Sequence, residues 1–123
     1  MEINEKYYEG YEGDPNMLFC RTENDIPVEK INIWDGYFDF IMSLVQPEEE
    51  GWTGLAYFYH LIIGWYEEEN WLIPNIAEAY GQLEKLNPEE LPYRDAQEVL
   101  ALLLNMLKRA MDTNGKVYIL YDV

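Results

Sequence analysis

The apolar run Leu55 to Tyr66, LAYFYHLIIGWY, broken only by His60 and Gly64, limits what this chain can fold into more than any other stretch. Leu55, Phe58, Tyr59, Ile62 and Trp65 recur at intervals of three and four, which predicts one helix with a wide apolar stripe. Tyr57, Leu61 and Ile63 fill the remaining side, so this helix is expected to be buried on most faces. Its twelve residues fall short of the about 20 that cross a bilayer, so the run reads as core and no membrane partner is expected. Gly64 costs about 1 kcal/mol against Ala in a helix interior, and close packing of a neighbouring element is the expected reason for it.

Two acidic triplets bracket the run. Glu67, Glu68 and Glu69 would sit at the helix's carboxyl end, where the macrodipole already carries roughly half a negative charge. Glu48, Glu49 and Glu50 precede the helix, at the end the dipole favours. The first triplet in the chain therefore has a structural reason and the second has none, which makes Glu67 to Glu69 the leading contacts for a basic partner, with Glu48, Glu49 and Glu50 expected to face it as well. Tyr66 and Trp71, beside that triplet, are the aromatic residues expected to flank it.

Charge is uneven along the chain. Eight basic and twenty-four acidic residues leave a net charge of −16. Between Ile31 and Glu84 there is no Lys or Arg, while the span holds Asp35, Asp39, both triplets, Glu78 and Glu84. A field of one sign steers cationic partners and disfavours direct binding to nucleic acid. Self-association through the acidic face is also disfavoured, so a monomer or weak dimer is expected. The alternative is that the acids only keep the protein in solution.

A length of 123 residues with nearly half of them apolar fits a single domain, 1–123, with a core of its own. One cysteine, Cys20, excludes an internal disulfide framework and suits a reducing compartment. The start, MEINEKYYEG, lacks the basic and apolar regions of a signal peptide, so a cytoplasmic location is expected.

Residues 1–30 read ambiguously: Asn4 to Tyr11 fits a helix or a short strand, and Met17 to Cys20 a strand or a docking segment. Ile31 to Trp34 alternates weakly. Asp35 is a plausible N-cap for a helix burying Tyr37, Phe38, Ile41, Leu44 and Val45, which Pro47 stops. Pro74 is placed to open a third helix with Ile76, Ala79, Tyr80 and Leu83 inward. Asn87 to Glu90 reads as a short capped turn. The clearest helix follows Arg94, with Val99, Leu100, Leu103, Met106, Leu107 and Met111 on its apolar side. Asn114-Gly115 ends it, and Lys116 to Val123 should be a strand paired with part of the first 35 residues. The fold class expected is mainly α: a bundle of about four helices with a short β element.

Catalytic chemistry has little support. His60 is the only histidine and falls inside the run expected to be most buried, where a hydrogen-bonded core role is the commoner one. No phosphate loop, zinc spacing or nucleophile elbow occurs, and the triplets lack the ligand spacing of a calcium loop. No cofactor or metal is expected, and the residues do not suggest an enzyme.

The stretch Trp34 to Pro74, WDGYFDFIMSLVQPEEEGWTGLAYFYHLIIGWYEEENWLIP, resembles the small acidic bacterial immunity proteins that accompany contact-dependent growth inhibition toxins and related polymorphic toxins. The likeness rests on the Gly-Trp-x-x-Leu start, the Tyr-His pair and the Gly-Trp-Tyr-Glu-Glu segment. It implies a cytoplasmic inhibitor of a cognate toxin domain, many of which are nucleases with basic clefts. Two other readings stand beside it. One is a phage-type nucleic-acid mimic that blocks a DNA-binding protein; the other is a small enzyme using His60.

Overall fold

Strands occupy the part of the chain whose periodicity is least clear. In the computed structural model, which describes residues 2–122, β1 (Ile3–Tyr7), β2 (Asn16–Glu23) and β3 (Ile26–Trp34) come first, then α1 (Asp35–Leu44) and α2 (Gly54–Leu61). After them come β4 (Trp71–Leu72), α3 (Ile76–Glu84), α4 (Arg94–Thr113) and β5 (Lys116–Asp122). The strands form one mixed sheet in the order β1-β3-β2-β5-β4; β1 runs parallel to β3 and the other pairs are antiparallel. The mainly α bundle expected from the sequence is therefore wrong. The protein is α+β, with four helices and a five-stranded sheet.

The sheet escaped the sequence reading for a physical reason. In β2, Met17, Phe19 and Arg21 alternate with Leu18, Cys20 and Thr22, yet both rows are largely shielded from water. Without a polar face, no period-two pattern shows. β1 has the opposite problem: INEKY is an edge strand whose charges look like loop. β5 does pair with the first 35 residues, through β2, and Val123 lies outside the described residues.

The core lies between one sheet face and the helices. Met17 stands opposite Ile33 and Tyr121, and Phe19 opposite Ile31 and Ile119, so three central strands present one continuous apolar row. Val99, Leu103, Met106 and Leu107 of α4 complete the same buried cluster. Arg21 extends the row to the core's margin, where Glu29 at 2.6 Å and Glu23 at 2.7 Å hold its guanidinium. Arg109 from α4 reaches Glu29 at 3.1 Å, tying helix to sheet. A shielded charge of this kind persists only because it is paired.

Local signals were read with mixed success. Asp35 is the first residue of α1, and Trp34 is its N-cap. Asn75, not Pro74, begins α3, its side chain accepting the Glu78 N–H at 3.0 Å. Asn87 caps the short turn Pro88–Glu90 as expected, and Asn114 ends α4 in the left-handed conformation.

The apolar run is not one helix. α2 stops at Leu61, Ile62 turns left-handed at φ 55°, and Gly64 begins a separate 3₁₀ turn, Gly64–Tyr66, at φ 72°. Gly64 is close-packed, as expected, but its backbone is positive-φ rather than helical. A Cβ there would come within 3.1 Å of the Phe58 and Trp71 rings. Gly64→Ala is therefore expected to destabilise the protein by about 1–3 kcal/mol, from backbone strain and overpacking together. Urea unfolding measures this, and an unchanged midpoint would contradict the packing described.

Candidate functional site

α2 is too short to bury all its apolar side chains. Leu55 and Ala56 enter the core, and Phe58 and Tyr59 are half-buried. Tyr57 (41 % exposed), Leu61 (51 %) and Ile62 (63 %) face solvent. Three of the seven exposed large apolar side chains among the described residues thus fall within six residues, at the carboxyl end of one helix. His60 lies among them. The sequence reading placed it in the core, but it is exposed and stacks on Trp52, with ring centroids 3.7 Å apart and planes at 20°. The run's helical periodicity ends at Leu61, so Ile62 loses the inward face assigned to it, whereas Trp65 reaches the core from the separate turn that follows.

Ile62 itself is unusual. Its N–H bonds to the Phe58 and Tyr59 carbonyls, closing α2 in the way a glycine or asparagine commonly does. Five residues other than glycine have positive φ; the other four are Asn24, Asp25, Asn70 and Asn114. Asn and Asp tolerate that region, whereas a β-branched side chain there is strained. Ile62 is thus unfavourable twice, once for its backbone and once for its exposed apolar surface.

Both acidic triplets are exposed. The helix-dipole contrast between them disappears, because α2 spans Gly54–Leu61 and neither triplet adjoins an end of it. Each is nonetheless tethered to the tip. Glu48 to Gly51 forms a tight reciprocal turn, and Trp52 next to it lies on His60. Glu67 and Glu68 donate their N–H groups to the Gly64 carbonyl at 3.0 and 2.9 Å. Five residues of chain put Glu67 within about 18 Å of Ile62. The triplets do not merge into one patch. Glu48 borders a groove of about 530 Å³ between α1 and α3, whereas Glu69 borders one of about 460 Å³ on the sheet's helix-free face.

The aromatic residues proposed with them divide. Trp71 is only 6 % exposed, packed in β4 against Trp65 and Phe58, so its ring is turned to the core. Tyr66 is half-buried against Trp65 and Tyr121.

Ion pairing is confined to the other part of the chain. Six of the eight basic side chains are paired, with Glu23, Glu29, Asp25, Glu98 and Asp112. None of these partners lies between Ile31 and Glu84. Among the described residues, neither triplet makes an ion pair or a side-chain hydrogen bond. At Glu98, the Tyr7 hydroxyl (2.7 Å), then Lys6 and Arg94, hold the carboxyl below its usual range. At Asp39, in the base-free span, loss of water pushes the carboxyl up, with Asp35 adding to this and the Tyr59 hydroxyl opposing it.

Asp35 and Asp39, one turn apart on α1, lie near the phenols of Tyr59, Tyr66 and Tyr121. Tyr121 donates to Asp35 at 3.0 Å. Burial first, and these carboxylates second, push Tyr59 and Tyr121 well above the ordinary phenol value. Burial pushes the Cys20 thiol up as well, and its sulfur approaches the Arg21 carbonyl at 4.0 Å rather than His60. No group of three or more His, Cys, Asp or Glu able to hold a metal occurs among the described residues. No helix among them is long and apolar enough to cross a membrane. Comparison with protein-family models, with curated proteins and with solved structures found no match.

The phenols set an alkaline limit on stability. Tyr7 is raised from 10.0 to about 12, by burial first and then by Glu98, and Tyr37 is raised too. A phenol whose folded pKa exceeds its unfolded one contributes stability that is fully present below pH 10 and is lost as pH rises through the folded value. Stability is therefore expected to hold to about pH 10 and to fall between 10 and 12. Tyrosinate absorbance and circular dichroism should change together above pH 10; full phenol titration at pH 10 with the fold intact would contradict this.

Proposed function

We propose that this chain binds and neutralises a cationic protein, in the manner of a bacterial immunity protein acting on a toxin domain with a basic, nuclease-like cleft. The observation that carries the reading is the segregation of charge. Six of the chain's eight cations pair with acids outside the 31–84 span, and among the described residues the triplets inside it have no ion-pair partner. Such a field raises the cost of folding through self-repulsion, and a docked basic surface relieves it. Inhibition follows from occupancy, by covering the partner's cleft or its margin. The compartment in this reading is the cytoplasm, and the complex is one to one.

Complementary charge acts mainly on the rate of encounter. Replacing Glu67, Glu68 and Glu69 together by Gln is expected to slow association about tenfold at low salt and to flatten its dependence on ionic strength, with little change in dissociation. The partner for this measurement is an inactive form of a basic toxin domain, sought in the reading frame beside this chain's gene, where this reading expects it. Equal association rates for the two proteins from low to high salt would remove the triplet from the interface.

A further inference from the structure

We propose that the Leu61–Ile62 turn is the apolar anchor of this interface, inserting into a hydrophobic pocket within the partner's basic surface. This rests on the reading above and specifies the partner's chemistry further: a Lys- and Arg-rich face with an uncharged depression inside it. Steering charges alone leave a complex short-lived, because exposed ion pairs contribute little once formed. Lasting association needs a few apolar or aromatic side chains driven into pockets and shielded by a polar rim.

The tip has that composition. Tyr57, Leu61 and Ile62 are exposed, and the Trp52–His60 stack stands beside them. The acidic turns 48–50 and 67–69 are attached on either side in sequence, through Trp52 and through Gly64. A standard interface covers about 800 Å² on each partner, enough to take in the tip and the nearer glutamates together.

The backbone supplies the independent observation. At the residue closing α2, folding alone favours glycine or asparagine, and Asn fills the equivalent place after α4. The chain instead carries isoleucine, at positive φ and 63 % exposed. Ile26 is as exposed, at 64 %, but among the described residues Ile62 alone joins such exposure to a β-branched side chain at positive φ, and both are explained if the side chain is buried elsewhere. Strained residues of this kind cluster at binding sites.

Ile62→Gly separates an anchor from a structural residue. It removes the side chain and relieves the backbone at once, so the melting temperature should be unchanged or higher. Dissociation of the inactive basic toxin domain used above should become about tenfold to thirtyfold faster, with association nearly unchanged. Leu61→Ser, on the helix's exposed side, should act in the same direction without altering φ. If Ile62→Gly lowers the melting temperature sharply, Ile62 serves the fold and the proposal fails. If both variants dissociate at the unaltered rate while the Glu-to-Gln protein associates slowly, the anchor is wrong and the charge reading stands. If the unaltered chain does not bind that domain, both are wrong.

Discussion

β2 is paired on both sides, with β3 and with β5, and its helix-facing row of Met17, Phe19 and Arg21 meets α4. Much of the molecule's organisation follows from that one register. A shift by a single residue would turn Leu18, Cys20 and Thr22 toward α4 and carry the Arg21 guanidinium away from Glu29. Because α4 leads directly into β5 through Asn114 and Gly115, the helix and the strand it packs over are positioned together. The sheet then leaves a place for the 54–73 segment at its β5 edge. Trp71 and Leu72 pair with Ile119 and Tyr118, and Trp65 and Phe58 close over Trp71.

This packing explains why the α2 end is exposed. Phe58, Trp65 and Trp71 are drawn into one aromatic cluster, and the chain between Phe58 and Trp65 must reverse to bring them together. Ile62 and Gly64 absorb that reversal. The residues at its apex, Leu61 and Ile62, are pushed outward as a result. The exposed apolar tip is thus a geometric consequence of a tightly packed interior.

Charge follows the same division. The β2–β3 hairpin and α4 hold five of the eight cations, and the pairs formed keep outside the 31–84 span: Lys108 with Asp112, Arg109 with Glu29, and Lys116 of β5 with Asp25. The turns around α2 receive none. Exposed pairs stabilise a fold only slightly, so their uneven placement matters less for stability than for the field the protein presents to another molecule.

Several features were legible from the residues alone. The apolar side of α4, the cap at Asn87, the chain reversal at Asn114-Gly115 and the base-free span with its two triplets depend on neighbours in sequence or on composition, and local chemistry is sufficient to read them. The sheet was not legible, because the double shielding of β2 and the charged edge of β1 each erase the period-two pattern. The burial of Trp71, the exposure of His60 and the break at Ile62 were hidden for a different reason. In each case the outcome is set by which distant ring occupies the core, and Ile62 carries no glycine or proline to announce a turn. Charge per residue was written in the chain; which charges find partners, and which apolar side chains are left outside, was decided by long-range packing.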